Sequence, residues 1–533
     1  MEKKHTRGSF TGSIGFVLAA AGSAVGLGNI WRFPYLAAKD GGGTFILVYI
    51  VLALTFGFTL LTTDIAIGRK TGQSPLVAYG KIHPGWNGLG LLASIVPVVI
   101  LPYYCSIGGW VLKYLSVFLT GHGTAAAEDG YFTGYITGTW QPIMWLGIYL
   151  FLTAFVVYRG VNKGIENYSK ILMPILLILI IGISVFSLTL THTDADGVVR
   201  TGLQGMKIYL VPNFKGMTPQ KFFTVFVDAL GQLFFSISVA MGIMVAYGSY
   251  VKKETNLMKS INQIEIFDTI VALLAGLMIV PAVFTFMGTE GMSAGPGLMF
   301  VSLPKVFQSM GAAGGVIGTI FFLMVSFAAI TSSVSVMESI VSCMIDKFHI
   351  SRKKSTVIVT VYACLVGIIV CLGYNALYFE LKLPNGATAQ ILDVMDFISN
   401  NLLMPLVALL SCILIGWVVK PQVIIDEVTL GGYKFGRKRL YIVMVKFIAP
   451  VLLAALLLQS FGILNVLITA IPDCYVLCTH AIFKNIRNPL IFLRKMAPYL
   501  CFWRGKRSKK HVFRWLFQKT CFFLCLSAHI SNR

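Results

Sequence analysis

The amino-acid sequence predicts an all-α polytopic membrane protein with about 11 transmembrane helices. Of its 533 residues, 56% are hydrophobic and only 12% are charged, whereas about a quarter of the residues in ordinary soluble domains are charged. The apolar residues also run on in blocks of about 20, the length that a helix needs to cross a bilayer. Because these runs are continuous rather than alternating, they favour helices over the strands of a membrane barrel.

Eleven apolar segments are candidate spans, with boundaries predicted to within a few residues. They are residues 12–37, 43–68, 89–119, 142–158, 167–190, 222–248, 260–287, 312–345, 355–374, 390–418 and 440–463. Basic residues concentrate in alternate connections: Arg69, Lys70 and Lys81; Arg159, Lys163 and Lys170; Lys252, Lys253 and Lys259; Lys347, Arg352, Lys353 and Lys354; Lys434, Arg437, Lys438 and Arg439. Since such loops stay on the cytoplasmic side, we expect the N-terminal segment, residues 1–11, to be cytoplasmic.

Charge, cysteine and histidine placement argue against several other classes of protein. The formal net charge is +22, but the basic residues lie mainly in short loops and at the termini, so we expect a lipid-bilayer partner and no nucleic acid. Ten cysteines are scattered, without the short paired spacings of a zinc site or the density of a disulfide scaffold. Histidines such as His83 and His122 lie outside the apolar segments, so no base stands beside Ser332 and no enzyme is predicted.

Two of the segments are poor continuous helices. The first contains the glycine-rich stretch Gly22–Asn29 and the sixth contains Gly231–Gly242. Each glycine weakens a helix interior by about 1 kcal/mol relative to alanine, although small residues also let membrane helices pack closely. The weak points occupy matching places in two five-span halves, residues 12–190 and 222–418, joined by a predicted extracellular loop, 191–221. Matching breaks in inverted halves are typical of a midplane transport site, so we predict a 5+5 inverted repeat with spans 1 and 6 unwound.

Oxygen-bearing side chains accompany these breaks. Asn29, Ser236, Asp268, Thr331 and Ser332 all lie in otherwise apolar spans. Polar residues at such depth usually face a cavity, although a single Ser or Thr is explained equally well by a hydrogen bond to its own helix. Because an unwound helix also exposes amides that suit an anion and carbonyls that suit a hard cation, the whole set favours a binding site.

Several stretches, taken in order, carry a resemblance to a known family. They are Gly22–Asn29 with Trp31–Pro34, Gly41–Gly43, Tyr103-Tyr104, Gly231-Gln232 with Phe234–Ser236, Ala328 with Thr331–Ser333, and Leu392–Phe397. Across residues 7–462 the sequence resembles the neurotransmitter:sodium symporter family, in its bacterial branch of sodium-dependent amino-acid transporters. The resemblance implies a symporter in the bacterial cytoplasmic (inner) membrane that imports an amino acid with sodium by alternating access.

The resemblance also assigns residues to sites. One sodium would be held by Ala24, Asn29, Ser236 and Asp268 together with the substrate carboxylate, and a second by Gly22, Val25, Ala328, Thr331 and Ser332. Tyr104 would hydrogen-bond the substrate carboxylate. The substrate-binding set would be Ala24, Gly26, Ile100, Tyr104, Phe235, Ser236, Ser238, Met241, Ser332 and Val336. For Met241 and Val336, ordinary helix packing remains an equal alternative.

Three positions refine this expectation. Family members that carry biogenic amines have an aspartate where this chain has Gly26, so an amino acid with its own carboxylate is favoured. Asp268 stands where chloride-dependent members have asparagine, and a fixed carboxylate there predicts chloride-independent uptake. Met241 is an adaptable apolar side chain, which favours a large apolar or aromatic amino acid.

Two charge pairs match the family's gates. Arg32 would pair with Asp396 on the outer side, and Arg7 with Asp346 on the inner side. Individually each could be an ordinary surface charge, since such pairs often contribute under 1 kcal/mol. A sensor that binds without transporting remains an alternative, although the intact sodium-ligand set favours a transporter.

The C-terminal tail departs from the family pattern. We expect the resemblance to stop near Leu464, after span 11 (440–463), because residues 464–533 are basic and rich in cysteine. One interpretation is a twelfth span near 464–483 that returns the tail to the cytoplasm. The other, which we favour, is sequence that was not selected, such as a shifted reading frame.

Overall fold

A computed structural model describes residues 8–194, 197–292 and 295–464 of the chain. The chain divides into two units, residues 1–460 and 461–533, and every element named below lies in the first. This unit is almost entirely helical, which confirms the predicted all-α fold. Its few strands form two short antiparallel hairpins, β1 (Thr191–Thr193) with β2 (Val199–Thr201) and β3 (Leu381–Lys382) with β4 (Thr388–Ala389).

Each predicted span corresponds to one helix or to a pair of half-helices, numbered here as spans 1–11. Span 1 is half-helices 1a (Ser13–Ala24) and 1b (Gly28–Lys39), and span 6 is half-helices 6a (Pro219–Ser236) and 6b (Ile243–Gly248). The others are Gly43–Thr71, Pro84–Leu119, Trp140–Tyr158, Val161–Leu188, Leu257–Met287, Ala312–Phe348, Arg352–Leu372, Ile391–Val418 and Lys438–Ser460. Within the described ranges, nine helices are long and apolar enough to cross a membrane, and the bent pair 1a–1b makes a tenth.

Two helices begin earlier than the sequence predicted by more than the few residues expected, and several connections contain structure of their own. Span 3 starts at Pro84 with a 3₁₀ turn, and span 5 starts at Val161 with a π-helical turn, Val161–Glu166, rather than at residues 89 and 167. Shorter helices in the connections are Pro75–Ile82, Tyr131–Ile136, Gly202–Leu210, Leu303–Ser309 and Gln422–Val428. Apolar periodicity did not indicate them because they are short.

The two broken spans lie at the centre of the bundle. Half-helix 1a packs against spans 5, 7 and 8, while 6b packs against spans 2 and 8. The axes of 1a and 1b meet at an angle of 55°. Because neighbouring spans surround both breaks, the backbone groups freed there are sheltered from lipid, the only setting in which a membrane protein tolerates non-helical backbone.

Three arginines of the basic connections form ion pairs with buried glutamates. Arg69 lies 2.8 Å from Glu427, Arg352 lies 2.5 Å from Glu338, and Arg437 lies 2.6 Å from Glu265. The glutamate side chains are at most 4% exposed. Removing one member of such a buried pair costs about 3–5 kcal/mol, so these residues join neighbouring spans in addition to any effect on topology.

A group of acidic and basic residues lies where 1b ends. Asp40, between spans 1 and 2, is buried, and Lys39 lies 2.9 Å from Asp228 of half-helix 6a. The pKa of Asp40 is raised to about 7, first by burial and then by the Asp228 carboxylate, while Lys39 opposes the shift. Because the folded protein then binds a proton more tightly than the unfolded chain, whose aspartate pKa is about 3.9, the stability contributed by protonated Asp40 is lost as pH rises through about 7.

We therefore predict that the thermal unfolding midpoint of the detergent-solubilised protein falls between pH 5 and pH 8, and that Asp40→Asn removes this part of the decline. Asp129→Asn is the control, since Asp129 is 89% exposed and should leave the slope unchanged. Identical pH slopes in wild type and Asp40→Asn would contradict the prediction.

Candidate functional site

One cavity lies between the breaks in spans 1 and 6. Residues of spans 3, 8 and 10 also line it. All ten residues predicted to bind substrate line it: Ala24, Gly26, Ile100, Tyr104, Phe235, Ser236, Ser238, Met241, Ser332 and Val336. The lining also includes Ser23, Leu27, Gly28, Asn29, Tyr103, Ile243 and Asn400, of which only Asn29 was in a predicted site. The sequence prediction therefore placed residues from four distant spans in one location.

Three of the four residues assigned to the first sodium site form a buried hydrogen-bonded cluster. The Ser236 hydroxyl lies 2.9 Å from Asn29 Oδ1 and 2.9 Å from Asp268 Oδ1. Asn29 Nδ2 donates to Asp268 Oδ1 over 2.8 Å. The fourth residue, Ala24, lines the cavity beside Asn29 and Ser236. Three oxygen-bearing side chains therefore meet beside the cavity, and that of Asp268 is a carboxylate.

The residues assigned to the second sodium site also come together, where span 8 passes half-helix 1a. The Ser332 hydroxyl lies 3.4 Å from the Gly22 carbonyl and 3.3 Å from the Val25 carbonyl. On the same helix, the Thr331 hydroxyl lies 3.0 Å from the Ala328 carbonyl. Thr331 thus makes a hydrogen bond to its own helix, which is the alternative that the sequence analysis offered for a single Ser or Thr. Ser332 instead reaches the carbonyls of span 1.

Two hydroxyl groups facing the cavity are buried without a hydrogen-bond partner among the described residues. They are the hydroxyls of Tyr104 and Ser23. Gly26 lies next to them, and a β-carbon on it would come 3.2 Å from the Tyr104 hydroxyl and 3.0 Å from Ser332 Oγ. Because a buried hydroxyl without a partner costs about 1–3 kcal/mol, these groups are suited to a polar ligand.

Asp64 of span 2 holds the break in span 6, a role that the sequence analysis did not assign. Its buried carboxylate accepts a hydrogen bond from the Ala240 amide over 2.9 Å. Ala240 and Ser238 both have positive φ angles, 60° and 52°, a conformation that costs a non-glycine residue about 1–3 kcal/mol. The Ser238 hydroxyl donates to the Ser23 carbonyl over 2.9 Å. Asp64 is the only acidic residue in its span, and that isolation was the signal available in the sequence.

The predicted outer pair, Arg32 and Asp396, is not in direct contact. The Arg32 guanidinium lies over the Phe235 ring, 5.7 Å from its centroid. The Asp396 carboxylate instead accepts hydrogen bonds from Asn400 Nδ2 at 2.5 Å and from the Tyr103 hydroxyl at 3.2 Å. Asn400, one helical turn from Asp396, occupies the carboxylate here, while Arg32 and Asp396 still interact electrostatically. Their role as an outer gate stays a prediction.

Only one member of the predicted inner pair can be located. Arg7 lies outside the described residues. Asp346 accepts a hydrogen bond from the Ser74 amide over 2.6 Å, at the start of the helix Pro75–Ile82. Asp346 therefore has a structural contact as well as its predicted gating role. The tail beyond residue 464, with both interpretations offered for it, likewise lies outside the described residues.

We predict that Asp64→Leu lowers the free energy of unfolding by about 1–3 kcal/mol, because the buried Ala240 amide loses its acceptor. Asp64→Asn should cost less, since its amide oxygen can still accept. Ala240→Gly should have the opposite sign, raising stability by up to about 1 kcal/mol through relief of the positive φ angle. Thermal unfolding in detergent measures all three, and a stabilised Asp64→Leu would contradict this account of the break.

Comparison with known proteins places this site in a family. The sodium:neurotransmitter symporter family matches residues 7–127 and 136–481 of the chain. The matched range continues past residue 464, so the resemblance ends later than the sequence analysis predicted.

Individual relatives match most of the chain. An uncharacterised sodium-dependent transporter of Bacillus subtilis is 35% identical over 463 residues, which make up 85% of this chain and 97% of the relative. One of Methanocaldococcus jannaschii is 31% identical over 505 residues, 91% and 96% of the two chains. The crystal structure of MhsT in complex with L-phenylalanine shares 34% identity and a TM-score of 0.74, over 86% of this chain and all of that one. The chain therefore belongs to the sodium:neurotransmitter symporter family, whose members are multi-pass, sodium-dependent membrane transporters and not enzymes.

Proposed function

We propose that the protein imports a large apolar or aromatic amino acid together with two sodium ions, by alternating access and without a chloride requirement. Its N-terminus lies in the cytoplasm, and the membrane is the bacterial cytoplasmic membrane. The observation that carries the proposal is the meeting, in one buried cavity, of hydroxyls without partners, two helix breaks and the Asn29–Ser236–Asp268 cluster.

The substrate carboxylate fits at the start of half-helix 1b. The first amides of a helix have no partners within it and carry the positive end of its dipole. The break between Ala24 and Gly28 brings these amides to the cavity, beside the Tyr104 hydroxyl. A carboxylate there accepts from both and completes the oxygen shell of the sodium held by Asn29, Ser236 and Asp268. Gly26 leaves the space that an aspartate side chain would fill.

The substrate ammonium fits beside the negative ends of two other half-helices. Half-helices 1a and 6a end at the cavity, at Ala24 and Ser236, and the last carbonyls of a helix carry its negative end. A zwitterion therefore lies between the amide end of 1b and the carbonyl ends of 1a and 6a. An amine without a carboxylate leaves the first amides of 1b and the Tyr104 hydroxyl without a partner, which disfavours it.

The remaining wall supports an apolar side chain. Ile100, Met241, Ile243 and Val336 line it, and burying apolar surface against them is favourable by about 25 cal/mol per Å². Met241 is unbranched and flexible, so it can adapt to substrates of different shape. The relative MhsT, crystallised with L-phenylalanine, supports the same class of substrate.

Two sodium ions suit the two oxygen clusters. The first cluster contains Asp268, whose fixed negative charge lies beside the cation, so no separate anion is required to balance it. The second is made of uncharged carbonyls and hydroxyls shared between 1a and span 8. Because the second ion bridges two elements, its departure removes an attraction between them and favours movement of 1a.

We predict sodium-driven uptake in proteoliposomes screened with a panel of radiolabelled amino acids. One or a few large apolar or aromatic substrates should accumulate under an inward sodium gradient, and uptake should fall to background without sodium. Replacing chloride by gluconate should leave uptake unchanged. Binding without accumulation would indicate a sensor instead, and loss of uptake in gluconate would refute chloride independence.

We further predict that Asp268→Asn weakens uptake in gluconate by about tenfold or more, because a hydrogen-bonded charged group beside the cation contributes about 1.5–3 kcal/mol. Chloride should restore part of this loss, since the anion supplies the missing negative charge. The comparison is uptake with and without chloride, in wild type and variant measured in parallel. A variant with equal uptake in both salts would contradict the role assigned to Asp268.

A further inference from the structure

A buried glutamate lies beside the first residues of half-helix 1a, away from the cavity. Glu166 closes the π-helical turn Val161–Glu166 that begins span 5, and its side chain is 0% exposed. Lys170, one turn further along span 5, lies 2.7 Å from Glu166 Oε1. Neither the predicted sites nor the cavity lining include this carboxylate.

The Glu166 carboxylate, which belongs to a different span, binds Thr11, the residue just before the N-cap of half-helix 1a, and this contact is named the Thr11–Glu166 cap. Glu166 Oε2 accepts the Thr11 amide over 2.9 Å, and Oε1 accepts the Thr11 hydroxyl. Half-helix 1a begins at Ser13, and the residue at its N-cap, Gly12, has no side chain to provide a cap of its own. A negative charge near this end of a helix also interacts favourably with the positive end of the helix dipole.

Local packing is fitted to this contact. A β-carbon on Gly15, in the first turn of 1a, would collide with the Glu166 carboxyl group. Glycine at this position therefore allows the carboxylate to approach the helix, although alanine would be the better helix former. Phe10, which precedes Thr11, contacts a different part of the protein. Its amide donates to the Tyr250 carbonyl over 3.2 Å, and its ring packs on Tyr247 and Tyr250.

The opposite end of 1a carries the oxygen atoms of the site. The carbonyls of Gly22 and Val25 lie beside the Ser332 hydroxyl, and Ala24 lines the cavity. Half-helix 1a is 12 residues long, so a single short helix connects the Thr11–Glu166 contact to these carbonyls.

We propose that Glu166 is a positioning residue for transport: by capping half-helix 1a from span 5, its carboxylate holds the carbonyls of Gly22 and Val25 in the arrangement that binds sodium. Release of the cap accompanies movement of 1a and loss of the ion. This proposal rests on the proposed function for its transport consequence, while the cap itself can be measured without transport.

The test compares four variants with wild type: Glu166→Gln, Thr11→Val, their combination, and Gly15→Ala. The first removes the charge, the second removes the hydroxyl donor, and the fourth displaces the carboxylate without changing any charge. The control is Glu265→Gln in span 7, which alters a buried carboxylate whose hydrogen bonds are to Arg437 rather than to Thr11. The primary measurement is amide hydrogen exchange across residues 8–24 of the purified protein in sodium, resolved by mass spectrometry.

We expect exchange in this segment to accelerate about tenfold or more in Glu166→Gln. Losing hydrogen bonds to a charged group lowers the free energy of local opening by an amount that corresponds to such a factor. Gly15→Ala should accelerate it too, against the direction of helix propensity, while Glu265→Gln should not. Because Thr11 and Glu166 act as one contact, the double variant should exchange no faster than the more affected single variant. In proteoliposomes, the sodium concentration for half-maximal uptake should rise several-fold, with the maximal rate at saturating sodium largely kept.

The proposal is overturned by wild-type exchange in Glu166→Gln, by additive effects of Glu166→Gln and Thr11→Val, or by an equal effect of Glu265→Gln. A lower maximal rate with unchanged sodium dependence would likewise assign Glu166 a purely structural role. If wild type itself shows no sodium-driven uptake, the proposed function fails, and the exchange measurement still decides whether the cap exists.

Discussion

The constraint on which the rest of this structure depends is that a backbone amide or carbonyl cannot be left without a partner in lipid. Spans 1 and 6 are interrupted at mid-length, and each interruption frees such groups. Asp64 takes the Ala240 amide, and Ser238 and Ser332 take carbonyls of span 1. Residues from both breaks line one cavity. The proposed binding of ions of both signs thus depends on breaking two helices where neighbouring spans can shelter them.

Most of the fold and the cavity lining could be predicted because the relevant signals are local. A run of about 20 apolar residues indicates a span wherever it occurs, and the glycines of Gly22–Asn29 indicate a break without knowledge of its neighbours. The resemblance to a family then brought Tyr104, Ser236 and Ser332 together, although they lie far apart in the chain. What the sequence predicted well is therefore which residues meet, since that follows from the fold.

Direct contacts between side chains were harder to predict, because they depend on rotamers and on competition between partners. Asp396 illustrates this, since Asn400 and Tyr103 occupy its carboxylate while Arg32 turns to the Phe235 ring. The cap of 1a by Glu166 joins residues 155 positions apart, and no local pattern distinguishes it from an ion pair with Lys170 inside span 5. Short helices in the connections escaped prediction because a single turn carries too few residues to show a period.

The two half-helices on the predicted cytoplasmic side are held in different ways, and this difference bears on how the site opens. Half-helix 6b is tied to span 8 by large side chains: the Tyr247 hydroxyl donates to Ser335 over 2.7 Å, and just beyond 6b the Tyr250 hydroxyl donates to Glu338 over 2.6 Å. The second half of 1a, Ala19–Ala24, contains only alanine, glycine and serine. Small residues allow close packing but interlock little. Half-helix 1a therefore has fewer interlocking side chains to rearrange than 6b does, and under the proposed alternating access 1a is the half-helix expected to move while 6b stays with span 8.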